Sequence, residues 1–532
     1  MPTDKIKESP TPSPFGFPTY DKTRRTLLSG SAFFFFVWLF CLAGCAGSPG
    51  KKPTPIPKLP LKLDVVYPRC EGRDTLILMP RVDSTFAFGS VNPPGSRILI
   101  NGTPAKVWDN GAFLGYFPLN PAVAEIVLFA VSPQGDSLRK VLPLRFPASP
   151  TVKSEPDQPH PLNSRLPALL TVTRDFAAMR CTPGGAYTLF PLRGAVAQAD
   201  SFVSPHFRVR LCDDLHAWVE DRFVELDTSR AIRPIRTIPR IAVKSESGSV
   251  NVIIPSAGSL LFDVREVSES HGLLLRIYGA DSRINRMDYD PRDEWIREIR
   301  WQQIKDGVLD LQISLASRLW GYSAAYHNDD LILSIRKPPP IAKKALKNRV
   351  IVLDPGHGGE QPGAVGPTRL AEKEPNLRIA LHLKAFLEQE GAQVYLTRTD
   401  DSAVELYDRV TTALQKKADI LLSLHNNALS DGENPFVKHG SAVYYYQPFS
   451  LELARSLHDH LVAATGLNDH GLYYQNLALA RPTEMPAVLL ECAFIMYPPE
   501  EILLRNDAFL QRIARSITAG LREFLQRQRN QP

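Results

Sequence analysis

The last third of the chain alternates short apolar runs with longer amphipathic segments. Val350 to Leu353 is a continuous apolar run and Ile420 to Leu424 is apolar except for Ser423, which is typical of strands buried on both faces of a parallel sheet. This alternation predicts an α/β domain over residues 341–532, with a doubly wound sheet that carries helices on both faces. The predicted helices are 374–390, 404–417, 450–465 and 507 to about 525.

The chain before this domain has short alternating segments separated by frequent turns, which is typical of all-β structure. Segments such as Ser96 to Asn101 and Ile126 to Val131 are separated by turn signals such as Asn110-Gly111. The spacing predicts two or three small all-β modules. Their predicted bounds are 61–148 for a β-sandwich, 149–166 for a linker, 167–230 for a second β module, and 231–340 for a third β-rich module that ends in a proline-rich hinge.

The N-terminus carries the pattern of an export signal within residues 1–45. A basic flank at Arg24-Arg25 precedes a short apolar core, Ala32 to Phe40, whereas a membrane span needs about 20 apolar residues. Leu42 to Cys45 resembles a bacterial lipobox, which implies that Cys45 becomes the lipidated first residue of the mature protein. A plain signal peptide, an uncleaved anchor and twin-arginine export stay open.

Residues 46–60 are rich in proline and predict an extended tether between the lipid and the folded protein. Ala46 stands where many Gram-negative lipoproteins that stay on the inner membrane have aspartate. The sequence therefore favours the outer membrane of the cell envelope, in a cell that has one.

The net charge of +6 lies outside the α/β domain. Residues 341–532 hold 21 Lys and Arg against 22 Asp and Glu, so the excess precedes them. The excess is compatible with an anionic polymer as partner or with a solvated, arginine-rich linker face. No aromatic stacking pattern or nucleic-acid motif accompanies the cations, so nucleic acid is not predicted as a partner. The densest cluster is Arg222, Arg230, Arg233, Arg236, Arg240 and Lys244.

Four polar residues occupy positions from which they can converge on one sheet edge. His357 and His425 follow the two buried strands, Glu372 opens the helix between them, and Glu491 ends a later strand. Two histidines and a carboxylate form a ligand set that suits zinc. Each residue alone also has an ordinary structural interpretation, as a helix cap, a solvated first-turn acid, a core histidine or a strand-end ion pair.

Together these motifs resemble the zinc-dependent N-acetylmuramoyl-L-alanine amidases of the amidase-3 type. The resemblance covers roughly residues 345–528 and implies that His357, Glu372 and His425 ligate Zn²⁺, with Glu491 as general base and acid. The motifs are His357-Gly358-Gly359, Glu372-Lys373 with Asn376-Leu377, Ser423 to Ala428, and Pro486 to Glu491.

Other polar residues of this domain are open to two interpretations. Asn376 and Asn427 are candidates to contact the ligands or the substrate, and helix or turn roles are equally compatible. Arg398 and Arg409 are expected to pair with Asp400 and Asp408 rather than with substrate. Strand alternation sends Cys492 away from the face of Glu491, which predicts a small buried residue and not a nucleophile.

Two departures from the family pattern stand out. The run Cys492 to Tyr497 replaces a Gly-Phe-Leu-Ser-Asn-like segment, which leaves open the shape of the site wall that follows Glu491. The 16 residues between Asn427 and Tyr444 are too few for the blocking helix of some division amidases, so we expect no self-inhibition of that kind. In the exported state a disulfide between Cys181 and Cys212 stays open, with Cys70 as a third cysteine.

The three β modules resemble parts of other envelope proteins. The first is similar to immunoglobulin-like modules, the second to SH3-like wall-binding modules, and the third to wall-targeting domains that often accompany amidases. The predicted partners are peptidoglycan and a membrane, reached through the lipid anchor, and a regulatory protein stays open.

The sequence thus predicts a lipid-anchored peptidoglycan hydrolase of the periplasmic cell envelope. The residues alone predict metal-assisted amide hydrolysis, and the resemblance implies that the bond is the amide between N-acetylmuramic acid and L-alanine of the stem peptide, cut for wall remodelling or cell separation. A zinc peptidase acting on wall peptides, and a non-catalytic wall-binding lipoprotein, are the two alternatives.

Overall fold

The computed structural model describes residues 60–69, 77–78, 80, 82–120, 125–146, 161–229, 235–267 and 271–529. All of these belong to one compact unit, Leu59–Pro532. The predicted export signal with Cys45, the tether apart from Pro60, most of the predicted linker, and Cys70 lie outside the described residues. No helix in the described part of the chain is long and apolar enough to cross a membrane.

The first β module, residues 62–145, consists of eight strands. They are β1 (Lys62–Tyr67), β2 (Ile77–Leu78), β3 (Ser84–Asn92), β4 (Arg97–Ile100), β5 (Thr103–Val107), β6 (Ala112–Pro118), β7 (Glu125–Val131) and β8 (Ser137–Arg145). The strand order is β1-β3-β6-β5-β4-β7-β8-β2. Alternate residues such as Ile98, Ile100, Ile126 and Leu128 are buried in a shared core, as their two-residue period requires.

The second β module, residues 168–227, forms one seven-stranded sheet. Its strands are β9 (Ala168–Val172), β10 (Met179–Arg180), β11 (Tyr187–Leu189), β12 (Val196–Val203), β13 (His206–Cys212), β14 (Leu215–Glu220) and β15 (Val224–Asp227). The order is β11-β10-β14-β13-β12-β9-β15. Cys181 and Cys212 are both free thiols, so the disulfide that the sequence left open is not formed.

The third β module, residues 236–336, contains two sheets around one core. Its strands are β16 (Arg236–Ser245), β17 (Ser249–Ile254), β18 (Phe262–Val267), β19 (Gly272–Tyr278), β20 (Ala280–Asp288), β21 (Ile296–Lys305), β22 (Val308–Leu315), β23 (Gly321–His327) and β24 (Asp330–Arg336). One sheet has the order β20-β16-β17-β24-β23 and the other β18-β19-β22-β21.

The C-terminal part alternates strands with helices and forms one mostly parallel sheet. Its elements are β25 (Val350–Pro355), α1 (Lys373–Gln389), β26 (Gln393–Leu396), α2 (Leu406–Gln415), β27 (Ile420–Asn427), β28 (Ser441–Tyr445), α3 (Leu451–Thr465), β29 (Asp469–Tyr474), β30 (Ala487–Phe494), α4 (Pro498–Arg505) and α5 (Asp507–Arg529). The strand order is β26-β25-β27-β30-β28-β29, and only the β28–β30 pair is antiparallel among these neighbours.

The helices pack on this sheet through apolar stripes. Ile379 of α1, Leu457 of α3 and Ile513 of α5 are fully buried in one core with Ile351 and Leu422 of the sheet. Val410 and Ala413 of α2 instead belong to a separate core with Val352 and Leu421. Because neighbouring residues of a strand point to opposite faces, α2 lies on the other face of the sheet from α1, α3 and α5.

The basic cluster predicted from the sequence consists of ion pairs wherever it is described. Arg222 pairs with Glu220, Arg236 with Asp329, Arg240 with Asp288, and Lys244 with Glu246. Arg230 and Arg233 lie outside the described residues. The described part of the cluster therefore supports the interpretation as a solvated face, and it adds that these cations are ion-paired.

The first β module packs directly against the α/β part. Phe86 and Phe88 of β3 share a buried cluster with Phe494 and Met496, which lie at the end of β30 and just beyond it. The hydroxyls of Tyr67 and Thr85 each donate to Asp431 Oδ1 at 2.7 Å. The apolar run after Glu491 is therefore part of the contact with the first β module.

The third β module is joined to the α/β part through a buried tryptophan. Trp320 is 2% exposed and belongs to the core formed by α1, α3, α5 and the sheet. Its Nε1 donates to the carbonyl of Asp419 at 3.1 Å, and Arg336 pairs with the Asp419 carboxylate at 2.5 Å. The third module therefore contributes a core side chain to the α/β part.

Candidate metal centre

The predicted site residues are positioned by three neighbouring parallel strands. β25, β27 and β30 lie side by side, and His425 of β27 is in register with Glu491 of β30. His357 lies two residues beyond the end of β25. Because parallel strands end at the same sheet edge, residues far apart in the sequence meet there.

His357, Glu372 and His425 converge within a few ångströms. One ligand atom from each lies within 4.8 Å of the others. Glu372 bridges the two rings, with Oε2 3.1 Å from His357 Nε2 and Oε1 2.9 Å from His425 Nδ1. The ring centroids of the histidines are 5.0 Å apart and nearly perpendicular. The three predicted ligands are therefore brought together, as the motif spacing required.

The turn that carries His357 is held by two buried arginines. His357 has a φ of 64°, a conformation that non-glycine residues adopt only when the surroundings fix it. Arg398 donates to the carbonyls of Pro355 and Gly356 at 2.9 and 3.0 Å, and Arg409 donates to the carbonyl of His357 at 3.0 Å. Both arginines are structural, as expected.

Their carboxylate partners differ from the expectation. Arg409 pairs with buried Asp354 at 2.8 Å and not with Asp408, while Arg398 bonds the backbone carbonyl of Asp400 and not its carboxylate. Asp408 and Arg409 are neighbours on α2, and adjacent residues of a helix face different directions.

Gly356 lets the His425 ring approach the turn. A Cβ at this position would lie 2.1 Å from His425 Cε1, so any side chain would displace the ring. Gly363 has a similar role on the other side, where an added Cβ would lie 2.4 Å from Glu372 Oε2 at a φ of 72°. The backbone at these two glycines forms the walls against which the ligands are packed.

Glu372 is surrounded by donors. The N–H groups of Ala364 and Asn426 reach its two oxygens at 2.9 and 3.1 Å, and Asn376 Nδ2 donates to Oε1 at 3.2 Å. Asn376 is fully buried, and its Oδ1 accepts from the Asn426 side chain at 2.7 Å. Asn376 thus orients a candidate ligand rather than facing the substrate.

These contacts keep Glu372 ionised. Burial on its own would raise the pKa of Glu372, but hydrogen bonds and the charges of both histidines hold this pKa well below its ordinary value. Burial works against a charged His425 ring, yet the bond to Glu372 and nearby carboxylates raise the pKa of His425 to about 9. An ionised, buried carboxylate between two imidazoles is an arrangement that attracts a cation.

Glu491 has the opposite surroundings. Its Oε2 is buried, and no hydrogen-bond partner for it is present among the described residues. Burial, with the negative charge of Glu372, raises the pKa of Glu491 to about 8 against the opposing charge of His425. A carboxyl that is poised near neutral pH suits proton transfer.

Tyr444 is a neighbour of Glu491 that the sequence analysis missed. Burial and the Glu491 charge raise the pKa of the Tyr444 hydroxyl to about 12, while a side-chain hydrogen bond with Asn427 opposes this rise. From the sequence, Tyr444 was noted only as the end of a short loop. Ala442 of β28 pairs with Glu491, and Tyr444, two residues further along the strand, lies on the same face of the sheet as Ala442.

The remaining polar candidates lie away from the site. Cys492 is fully buried in the core beneath the helices, on the opposite face from Glu491 as predicted, and burial raises the pKa of its thiol. His382, His458 and His460 bond to Asp507, Asp469 and Glu523 respectively.

The sequence that forms this site is similar to those of known proteins. Residues 351–523 match the N-acetylmuramoyl-L-alanine amidase family, Amidase_3. A probable cell wall amidase, LytH of Staphylococcus aureus, is 33% identical over 228 residues, which cover 42% of this chain and 71% of that protein. The chain belongs to the N-acetylmuramoyl-L-alanine amidase family. The LytH protein of Staphylococcus epidermidis is 34% identical over 206 residues, covering 38% of the amidase described here and 67% of that relative.

A solved structure is also similar to the amidase. The catalytic domain of CwlV, an N-acetylmuramoyl-L-alanine amidase from Bacillus (Paenibacillus) polymyxa var. colistinus, is 37% identical and has a TM-score of 0.32, covering 34% of this chain and 98% of that domain.

Family membership confirms the resemblance that was read from four motifs. The protein is an enzyme of the N-acetylmuramoyl-L-alanine amidase class, a hydrolase of cell-wall peptidoglycan that acts in the cell envelope or outside the cell.

The site also fits the metal that the sequence predicted. Two imidazole nitrogens and one carboxylate are a set of three donors that zinc takes in hydrolytic sites, where a further position stays open. The Asn376 bond to Glu372 is the kind of support that orients ligands of a metal.

Proposed function

We propose that the amidase cleaves its bond with Zn²⁺ held by His357, Glu372 and His425, and with Glu491 as general base and then general acid. The observation that carries this proposal is the convergence of the three donors beside a buried, unpartnered Glu491 oxygen. Zinc bound there would supply a Lewis acid for the scissile carbonyl and lower the pKa of a bound water to about 7.

Glu491 moves the proton that this reaction requires. Its carboxylate takes a proton from the attacking water, whose oxygen forms a bond to the carbonyl carbon. Glu491 then gives the proton to the amide nitrogen as the C–N bond breaks. The products are the lactyl carboxylate of the sugar and a stem peptide with a free L-alanine amine.

The other residues hold this arrangement. Arg398 and Arg409 fix the turn of His357, and Asn376 fixes Glu372. We propose that Asn427 and Tyr444, which are hydrogen-bonded to each other beside Glu491, orient the substrate amide. The α2 helix on the opposite face from α1, α3 and α5 supports the doubly wound arrangement predicted for this sheet.

Product analysis of digested peptidoglycan tests the proposal. The purified mature protein is expected to release intact stem peptides that begin with L-alanine, and Glu491→Gln protein is the matched negative control. Shorter peptides would instead identify a zinc peptidase, and no product at all would identify a non-catalytic wall-binding lipoprotein.

We also propose that the amidase has no self-inhibitory helix at its site. Residues 428–440, which connect β27 to β28, are all described and contain no helix. The mature protein should therefore digest peptidoglycan without an added partner. Activity that appears only when a second protein is supplied would contradict this.

The location of the enzyme remains a proposal drawn from the sequence. A lipid at Cys45 would hold the periplasmic amidase on the outer membrane, and the second and third β modules would bind the wall. Fatty-acid labelling of the wild-type protein but not of Cys45→Ala protein, followed by membrane fractionation, tests the anchor and its position.

A further inference from the structure

A groove runs between the first β module and the α/β part, past residues that contact the candidate ligand Glu372. Two cavities of about 370 and 430 Å³ lie along it and share Pro68, Arg69 and Val365 in their linings. Volumes in this range accommodate several amino-acid residues. The groove exists only because the first β module is packed onto the α/β part.

The first cavity adjoins the candidate ligands. Gly363 and Ala364 line it, and the same two residues contact Glu372, since the Ala364 N–H donates to Glu372 Oε2 at 2.9 Å. Most of the remaining lining is apolar. The apolar part consists of Tyr67, Pro68, Phe86, Phe88, Val365, Ala428, Leu429 and Met496, and the remaining residue is Arg69, which also lines the second cavity. The end of the groove nearest the scissile bond is therefore suited to a small apolar side chain.

The second cavity is cationic. Arg69, Lys140 and Arg369 line it, and its described lining contains no carboxylate. Asp64 lies beside it and forms a two-pronged ion pair with Arg369 at 2.6 Å. Arg369 is thus neutralised, and Lys140, together with Arg69 where the two cavities meet, leaves an excess of positive charge toward the far end of the groove.

The wall contributed by the first β module is held firmly in place. Besides the Asp64–Arg369 pair, Tyr67 and Thr85 bond to Asp431, and Trp108 contacts Tyr497 edge to face with ring centroids 6.1 Å apart. A ligand in the groove would meet a preformed surface on both sides, which reduces the ordering cost of binding.

We propose that this groove binds the stem peptide of the substrate, with the L-alanine end at the apolar cavity and the carboxylates of the peptide at Arg69 and Lys140. This inference rests on the proposed function, because it uses the same scissile bond as its starting point. A stem peptide that is not cross-linked ends in a carboxylate, so its charge complements the far end of the groove. The first β module is then a part of the substrate site rather than a separate wall-binding unit.

The test compares two substrates on full mature protein. One is a muramoyl peptide with free carboxylates, and the other is the same compound with its peptide carboxyls amidated. We expect Arg69→Glu/Lys140→Glu protein to raise KM for the carboxylate substrate at least about tenfold, with kcat little changed, and to leave KM for the amidated substrate at its wild-type value.

Two further variants control for charge and folding. Arg97→Glu/Arg139→Glu makes the same charge change on exposed residues of β4 and β8 outside both cavities, and should leave both KM values unchanged. Arg69→Lys keeps the charge and should retain most of the affinity. Melting temperatures check that all variants fold.

Two results would overturn the groove assignment. In one, KM is unchanged in the double variant. In the other, KM rises equally for both substrates. If wild-type protein releases no peptide from either substrate, the proposed function itself fails, which is a separate outcome from failure of the groove.

Discussion

Two carboxylates of the amidase, Glu372 and Glu491, both lie beside His425 but have opposite surroundings. Glu372 is bonded to two imidazoles, two backbone N–H groups and one amide, so its negative charge is fixed. Glu491 has a buried oxygen for which no partner is described, and its pKa is raised to about 8. The comparison teaches that the surroundings, rather than the residue type, decide the role of each carboxylate. The surroundings of Glu372 favour cation binding, and those of Glu491 favour proton transfer.

Neutralising Glu372 should have the largest effect. Glu372→Gln removes the fixed charge and replaces one acceptor by a donor that faces the N–H groups of Ala364 and Asn426. We expect zinc to be lost and hydrolysis to fall below detection, measured by elemental analysis together with peptide release. Full zinc content in this variant would show that Glu372 is not a ligand.

The same change at Glu491 should separate metal binding from catalysis. Glu491→Gln retains the shape of the side chain but removes the proton acceptor, so activity should fall about 10²–10⁴-fold. Zinc content should equal that of the wild type. If zinc were lost along with activity, the two carboxylates would not have the separate roles that their surroundings indicate.

Asn376→Ala should weaken metal binding by Glu372 without removing a ligand. Loss of the bond to Glu372 Oε1 is expected to reduce metal affinity about 10–100-fold. Competition with a chelator measures this affinity. Saturating zinc should restore most of the activity, and failure of zinc to restore it would point to a role for Asn376 beyond orienting Glu372.

The smallest effect concerns stability of the metal-free protein. Because the folded-state pKa of Glu491 is raised from 4.5 to about 8, the folded state binds this proton more tightly than the unfolded state. The wild type therefore loses stability as pH rises from 4.5 to about 8, by on the order of 5 kcal/mol. Metal-free Glu491→Gln protein should melt a few degrees higher than metal-free wild type at pH 9 and at nearly the same temperature at pH 4.5. A constant difference at both pH values would contradict the raised pKa.

The sequence predicted the elements of the α/β part well, because their signals are local. Val350 to Leu353 forms β25, and the predicted helix 507 to about 525 is α5. The two histidines, Glu372 and Glu491 could be named because each follows a strand or opens a helix. The short helix α4 and the edge strand β29 were not predicted, since neither has a strong apolar period.

Contacts between distant parts of the chain could not be predicted in the same way. The partner of Arg409 is Asp354, 55 positions away, although Asp408 is adjacent. Phe494 and Met496 were read only as a departure from a family motif, while the structure shows them packed on Phe86 and Phe88. No local pattern specifies such pairings, because they depend on how separate sheets are placed against each other.

Trp320 has a practical consequence for anyone who cuts this protein into pieces. A fragment that starts at residue 341, where the sequence changes from β to α/β character, would lack the Trp320 indole, which is part of the core of the α/β part. Leaving such a hole costs about 3–5 kcal/mol, a large share of the stability of an ordinary domain. An expressed catalytic fragment should therefore begin before Trp320, so that it includes this core side chain.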